Sequence, residues 1–190
     1  MHETAVTRWF GAGYARLHPL LQALHREGGR LRGTVDLQIG PGLRGWLGRR
    51  IARRMGLPAM GGRLPFEVEI RHVGDALYWD RRFGDGTSMR SVFCPVGAWP
   101  DGYWIEATGP VRLHLGVDVV DGGWSWRCRR AFYRNIPVPM WLFPRTTAGK
   151  RAEDGRYRFE VAIALPLLGH VLRYGGLLDA QSPGSDSPNR

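Results

Sequence analysis

Two tight hairpins, each with one arginine on an otherwise apolar face, constrain the fold more than any other feature of this chain. In the first, Gly74-Asp75 separates residues 66–73 from residues 76–83. A two-residue turn there sets Arg81 opposite Val68, because directly opposed residues of an antiparallel pair share a face. The other pairs predicted on this face are Phe66 with Phe83, Ile70 with Trp79 and His72 with Leu77.

The second hairpin has the same construction around Asp121-Gly122 and sets Arg130 opposite Leu113. Its strands are 111–120 and 123–134, and its other predicted pairs are Val111 with Phe132, Leu115 with Cys128, Val117 with Trp126 and Val119 with Trp124. A turn at Gly122-Gly123 instead would move each pairing by two residues and keep every side chain on its face. Burying an arginine without a partner costs several kcal/mol, so each arginine must find a carboxylate, a phosphate or carbonyl groups.

Nine segments have strand character and three have helical periodicity. The predicted strands are 31–39, 66–73, 77–83, 88–94, 103–108, 111–120, 124–134, 156–165 and 171–178, and the predicted helices end near Arg16, begin near Pro19 and cover 43–55. Short links between most strands exclude a βαβ fold and favour an antiparallel meander. The sequence therefore predicts an α+β fold: a strongly curved, mainly antiparallel, barrel-like β-sheet of eight or nine strands, covered by the N-terminal helices.

A single domain is predicted over residues 1–180. A chain of 190 residues is long enough to bury roughly 70% of its unfolded surface around one core. Residues 181–190 contain only serine, proline, glycine and other polar or small residues, apart from one terminal arginine. Such a segment buries too little to offset its ordering entropy, so a disordered tail is predicted there.

The composition limits the functional classes. Of the 27 basic residues 26 are arginine, and Lys150 is the sole lysine. This preference for arginine is typical of GC-rich bacterial coding. The net charge of +10 is therefore weak evidence for an anionic partner. Nucleic-acid binding is disfavoured because no recognition motif is present. No metal and no cofactor are predicted, since the two cysteines, Cys94 and Cys128, and the histidines do not have the spacing of metal ligands. Without a signal peptide or spanning segment we expect a cytoplasmic location, or peripheral contact with the inner membrane face.

The preferred function is noncatalytic binding of an apolar, anion-headed small molecule, such as a fatty acid, a lipid or an isoprenoid. Arg81 and Arg130 would contact its head group, and Arg90 would reinforce them if an Asp85-Gly86 turn sets it opposite Arg81. The predicted cavity walls are Trp79, Trp126, Phe83 and Phe132. In the alternative interpretation the arginines form structural ion pairs or extend to the barrel rim.

A docking role is the first alternative. Residues 43–55 place an apolar stripe beside many arginines, which suits a helix docked on an anionic membrane or on a protein partner. The loop 136–144 adds apolar residues among three prolines. The predicted contact residues are Trp46, Arg49, Arg50, Arg53, Trp141 and Phe143, and the stripe comprises Leu43, Trp46, Leu47, Ile51 and Met55. Otherwise the helix packs its stripe on the sheet and the loop plugs the core.

A small isomerase- or hydrolase-type enzyme is the second alternative. It would use His72 and Glu106 as an acid and base pair, provided that both open into one cavity. No other catalytic motif accompanies the hairpins, so the sequence favours a noncatalytic role.

Seven stretches carry a family resemblance. They are YARLHPLLQALH, GLPAMGGRLPFEV, WDRRFGDGTSMRS, EATGPVRL, VVDGGWSWR, IPVPMWLFPR and GRYRFEVAIALPLLGHVLRYGGLL, and they cover nearly all of residues 14–178. In this order they resemble an uncharacterised bacterial family, domain of unknown function 4166. Members occur alone or behind dinucleotide-binding domains of the saccharopine dehydrogenase or epimerase type, so the resemblance implies an oxidoreductase partner. It implies no catalytic residues.

Overall fold

The computed structural model describes residues 3–181, which contain three α-helices and eleven β-strands. The tail predicted at 181–190 lies outside the described residues, except for Gln181. The helices are α1 (Ala5–Phe10), α2 (Pro19–Glu27) and α3 (Gly42–Met55), with a 3₁₀ helix at Gly11–Arg16. The strands are β1 (Gly29–Ile39), β2 (Gly62–Val73), β3 (Ala76–Phe83), β4 (Ser88–Val96), β5 (Tyr103–Thr108), β6 (Val111–Val120), β7 (Gly123–Tyr133), β8 (Ile136–Val138), β9 (Arg145–Glu153), β10 (Arg156–Leu165) and β11 (Gly169–Gln181).

Ten of the strands close into an antiparallel barrel. The order around it is β1, β2, β3, β4, β5, β6, β7, β9, β10 and β11, and β11 pairs again with β1. β8 lies outside this circuit and pairs with β7. The predicted fold is confirmed: a curved antiparallel sheet forms a barrel, and helices accompany it. β8 and β9 are strands that the sequence pattern did not predict.

The first hairpin has the predicted register. Val68 pairs with Arg81, and the three other predicted pairs also form. The turn consists of Gly74 and Asp75, because β2 ends at Val73 and β3 begins at Ala76. Arg81 therefore points toward the barrel interior together with the apolar residues of its face.

The second hairpin follows the prediction only in its first half. The pairs from Val119 with Trp124 to Leu115 with Cys128 are as predicted, and a β-bulge then shifts the register between His114 and Leu115. A bulge adds one residue to one strand, so every side chain beyond it changes face. Leu113 consequently pairs with Ala131 rather than with Arg130, and Arg130 pairs with His114. The prediction that Arg130 and Phe132 share the inner face is wrong.

The link between β3 and β4 also differs from the predicted two-residue turn. The backbone N–H of Phe83 donates to the carbonyl of Thr87 at 2.9 Å, so three residues, 84–86, lie between them. An odd loop length moves the pairing by one residue. Arg81 therefore faces Met89, while Arg90 faces Asp80 and forms an ion pair with it on the outer side. The prediction that Arg90 lies opposite Arg81 is wrong.

α1 and α2 cover one end of the barrel. The backbone N–H of His18, just before α2, donates to the β6–β7 turn at Gly122 (2.9 Å). Phe10 of α1 packs edge-on against Trp124 with ring centroids 4.9 Å apart. Trp9 packs against Trp104 at 5.4 Å. These buried rings close this end, which we call the covered end.

α3 lies at the opposite end, because β1 runs from α2 to α3. Its buried residues are Gly45, Gly48 and Ala52, and it packs on β11. A Cβ added to Gly48 would lie 2.3 Å from the carbonyl oxygen of Val171, so the absence of a side chain allows the helix to approach the sheet backbone. Small residues, rather than the predicted apolar stripe, form the contact.

The apolar stripe of α3 is therefore divided. Leu43 and Trp46 are 64% and 54% exposed. Ile51 and Met55, at the other end of the helix, are partly buried against the core. The alternative interpretation, in which the helix packs its stripe on the sheet, therefore holds only for the C-terminal half of the stripe, because the glycines bring a different side of the helix to β11.

Gly48→Ala is expected to destabilise the protein by about 1–3 kcal/mol, because the new methyl group overpacks the contact with Val171. Helix propensity alone would give the opposite sign, since alanine is favoured over glycine by about 1 kcal/mol. Urea denaturation measures the difference. Arg53→Ala, at an exposed position of the same helix, is the control and should change stability little. A stabilised Gly48→Ala protein would contradict this packing.

Candidate functional site

A cavity of about 270 Å³ lies inside the barrel and extends toward α3. Its apolar wall is formed by Trp79, Met89, Phe93, Leu113, Trp126, Phe159, Val161 and Ile163. Ile51, Met55, Pro110, Val111, Tyr133 and Phe143 line it as well, and its polar side chains are Arg54, Arg81, Glu106, Thr146, Lys150, Tyr157 and Tyr174. A few polar groups in a mainly apolar cavity are typical of small-molecule sites.

Arg81 is linked to Glu106 through two hydroxyl groups. The guanidinium Nη1 of Arg81 donates to Ser91 Oγ at 2.9 Å. Ser91 Oγ and Thr108 Oγ1 are 2.6 Å apart, and Thr108 donates to Glu106 Oε1 at 3.2 Å. Because the Thr108 proton goes to the carboxylate, the Ser91 proton goes to Thr108, and every hydroxyl both donates and accepts. We call this chain of four side chains the Arg81 relay; it connects the inward-facing arginine to an internal carboxylate.

Lys150 lies among three tryptophans. Its Nζ is 3.8 Å from the ring centroid of Trp124, 4.4 Å from that of Trp79 and 5.4 Å from that of Trp126. Lys150 is 6% exposed, and Nζ has no hydrogen-bond partner among residues 3–181. We call the three indoles the tryptophan cage. The position follows from barrel closure, because Lys150 of β9 pairs directly with Trp124 of β7.

The surroundings of Lys150 favour its neutral form. Burial holds the pKa of the Lys150 amine well below its ordinary value of 10.5. The positive charge of Arg81 lowers this pKa further, while the carboxylate of Glu106 acts in the opposite direction. An amine in this position can act as a nucleophile, because deprotonation leaves a lone pair on Nζ.

His25 of α2 lies on the covered-end side of the cage. Its ring stacks on Trp79 with centroids 5.7 Å apart and lies 4.8 Å from Trp124. His25 is fully buried, which holds its pKa well below 6.5, and nearby Lys150 and His72 lower that pKa further. A neutral imidazole therefore lies close to the amine.

Two buried tyrosines complete the polar lining. Burial raises the pKa of both Tyr157 and Tyr174 above the ordinary value of 10.0, although the charge of Arg81 partly opposes the shift. Both phenols therefore keep their protons at neutral pH and can donate a hydrogen bond to a ligand.

Three of the predicted ligand-contacting residues line the cavity: Trp79, Arg81 and Trp126. Phe83 is buried but packs against Phe66 with centroids 4.8 Å apart, and it is not among the lining residues. The structure does not bring the remaining three, Arg90, Arg130 and Phe132, to the cavity. The β3–β4 loop shifts the pairing of Arg90, and the bulge in β7 moves Arg130 and Phe132 to the other face of the sheet.

The structure separates the two residues of the proposed catalytic pair. Glu106 lines the cavity. His72 is near the turn at the covered end, pairs with Leu77 and does not line the cavity. Among residues 3–181, no group of three or more histidine, cysteine, aspartate or glutamate side chains is placed to hold a metal ion.

The residues predicted to meet a membrane or partner have mixed positions. Trp46 and Trp141 are 54% and 74% exposed. Arg49, Arg50 and Arg53 are exposed on α3, whereas Phe143 is half-buried and lines the cavity. Within the part of the chain that the structure describes, no helix is both long and apolar enough to span a bilayer.

Sequence reasoning missed Lys150, Ser91, Thr108 and His25 as members of the site. One signal was available for Lys150: it is the single lysine in a chain with 26 arginines. Where coding bias favours arginine, a retained lysine indicates a position that a guanidinium does not suit. The hydroxyl residues had no comparable signal, because serine and threonine are common in exposed strands.

The fold and site together define a closed antiparallel β-barrel with an internal, mainly apolar cavity that contains an arginine–glutamate relay and a caged amine. The chain belongs to the family described as Domain of unknown function (DUF4166), whose model matches residues 17–178. The resemblance seen in the sequence is thereby confirmed. No curated protein was found to match this chain.

Lys150→Met is expected to stabilise the protein at pH 7 by about 1–4 kcal/mol, because an apolar side chain replaces a buried ionisable group. The folded-state pKa of Lys150 is lowered, so the unfolded chain binds more protons at neutral pH, and wild-type stability rises as pH approaches 10.5. The difference between the two proteins should therefore shrink from pH 7 to pH 10. Urea denaturation at several pH values measures it, and a constant or growing difference would contradict a neutral amine.

Proposed function

We propose that this protein binds, without catalysis, one apolar small molecule with an anionic head, such as a fatty acid or an isoprenoid acid, inside the barrel. The observation that carries this proposal is the cavity of about 270 Å³ with apolar walls and Arg81 among its polar groups. This volume lies just below the ~300–1,000 Å³ that is typical of pockets for drug-sized ligands, so it suits a small molecule. An acid with a chain of medium length, such as decanoic acid, is the matching probe.

Arg81 is the proposed contact for the head group. A guanidinium has five N–H donors in a planar fork, and the relay uses Nη1 for Ser91. The fork can also donate to a carboxylate, a geometry that arginine favours. The tyrosine hydroxyls of Tyr157 and Tyr174 are further donors within the same cavity.

Decanoic acid is expected to bind with one-to-one stoichiometry and to change the tryptophan fluorescence, since Trp79 and Trp126 line the cavity. Arg81→Met should weaken binding about tenfold or more, because a hydrogen bond to a charged group contributes about 1.5–3 kcal/mol. Titration calorimetry measures both affinities.

Arg82→Met is the matched control for the Arg81 variant. Arg82 is the next residue of β3 and is exposed on the outer face, so its replacement should leave the affinity unchanged. Decanol, which lacks the charge, should bind the wild type more weakly than decanoic acid and should be insensitive to Arg81→Met. Equal affinities of the two arginine variants for decanoic acid would exclude Arg81 as the contact.

A membrane-docking role is a second candidate, and it is favoured by exposed apolar residues at the α3 end of the barrel. Trp46 lies on α3, and Trp141 lies in the segment that contributes Phe143 to the cavity. Arg49, Arg50 and Arg53 add positive charge on the same helix. Exposed tryptophans beside arginines suit the headgroup region of an anionic bilayer, through which an apolar ligand could enter.

The double variant Trp46→Ser and Trp141→Ser is expected to reduce co-sedimentation with vesicles of phosphatidylcholine and phosphatidylglycerol several-fold, because both indoles lose their interfacial contact. Val120→Ser is the control, since Val120 is 64% exposed at the end of β6, next to the turn at the covered end. If the double variant sediments as the control does, these two residues do not contact the membrane.

A further inference from the structure

Lys150 combines three properties that the binding of a carboxylic acid does not require. It is the sole lysine of the chain, it is 6% exposed, and its Nζ lies in the tryptophan cage without a hydrogen-bond partner among residues 3–181. It also lines the same cavity as Arg81 and Glu106. A buried amine without a hydrogen-bond partner is costly unless it sheds its proton or the indole rings stabilise its charge, so the position needs an explanation beyond packing.

The choice of lysine rather than arginine indicates amine chemistry. A guanidinium is charged at every accessible pH and is not a nucleophile. A buried amine loses its proton readily and becomes nucleophilic, which is the basis of Schiff-base lysines. Burial among the indoles and the nearby charge of Arg81 both favour the neutral amine, in agreement with the lowered pKa of Lys150.

We propose that Lys150 forms a reversible Schiff base with the aldehyde group of an apolar molecule held in the cavity. This inference rests on the proposed function, because the aldehyde occupies the cavity that the acid would occupy. The substrate class is an aliphatic or isoprenoid aldehyde with a chain of medium length. Small polar aldehydes fit poorly, since the walls around Nζ are indole rings.

The reaction balances without an oxidant or reductant. The lone pair of the neutral Nζ attacks the carbonyl carbon, a C–N bond forms, and one N–H proton moves to the carbonyl oxygen to give a carbinolamine. The C–O bond then breaks as the C=N bond forms, and the hydroxyl leaves with the second N–H proton as water. One amine and one aldehyde therefore give one imine and one water.

Other side chains of the cavity can assist these proton movements. Arg81 can donate a hydrogen bond to the oxygen that gains negative character during attack. Glu106, at the end of the Arg81 relay, offers a carboxylate that can accept and return a proton. The tryptophan cage limits water near Nζ, and low water favours the imine over its hydrolysis.

A purely structural role for the caged lysine makes a different prediction. A protonated Lys150 would be stabilised by cation–π contacts with the indole rings and would have no lone pair to attack a carbonyl. Arginine would satisfy this role equally well, since it also stacks on aromatic rings. Chemical trapping distinguishes the two roles directly.

The test uses decanal with the full chain at pH 7, followed by sodium cyanoborohydride, which reduces the imine to a stable secondary amine. Intact-mass measurement and peptide mapping then locate the decyl group. We expect one adduct per chain at Lys150, in large excess over the amino-terminal amine, which is the internal reference for unassisted reactivity. Excess decanoic acid should suppress the adduct at Lys150 and leave the amino-terminal adduct unchanged.

Lys150→Arg and Lys150→Met serve as matched variants, because one places a permanent positive charge at position 150 and the other an apolar chain of similar length. Both should lose the adduct at position 150, and Lys150→Met should still bind decanol, which shows that the cavity is intact. Glyceraldehyde, as a polar control, should show no preference for Lys150 over the amino terminus.

Two results separate the failure of this inference from the failure of the proposed function. If decanol and decanoic acid bind but decanal labels only the amino terminus, the Schiff base is refuted and ligand binding stands. If none of the three binds or reacts at the cavity, both proposals are overturned.

Discussion

The pairing of β7 with β9, which closes the barrel, determines what its interior contains. Only three residue pairs join these strands, from Trp124 with Lys150 to Trp126 with Ala148. Because paired residues share a face, this short contact places the amine against two of the three indoles of the cage. Farther along β7, residues 131–133 pair with β8 instead. The cavity is lined by residues of this paired segment, Trp126, Ala148, Gly149 and Lys150, so the same closure brings the cage and the cavity together.

Alternation and turn chemistry predict this fold wherever the strands are regular. The β2–β3 hairpin has a two-residue turn and no bulge, so every predicted pair forms and Arg81 lies inside. The β6–β7 hairpin begins equally well, because Asp121 and Gly122 both adopt the positive φ angles that such a turn requires. Its bulge then reverses the faces from Arg130 onward. Nothing in the arginine-rich segment 127–130 marks the additional residue of the bulge. The periodicity of a single sequence therefore could not locate the bulge.

Less of the candidate site than of the fold could be predicted from the sequence. Trp79, Arg81 and Trp126 could be assigned to an inner face because they belong to regular halves of the hairpins. Lys150 lies in β9, where Ala148 and Gly149 interrupt the alternation of large apolar and polar residues, so the segment gave no strand signal. The faces of β5 were equally undecided until its neighbours were known. Closure of a barrel is a long-range property, and local patterns do not contain it.

The two cations of the interior are accommodated by different physical means, and the difference explains why each residue type stands where it does. Arg81 cannot lose its charge, so it requires the relay of hydroxyl groups that leads to Glu106. Lys150 has no such chain of acceptors among residues 3–181, but an amine can become neutral by releasing a proton. Exchanging the two residues would leave a permanent charge in the tryptophan cage and a shorter, more flexible amine beside Ser91. The interior therefore contains one cation whose charge is permanent and one amine whose pKa is lowered by burial.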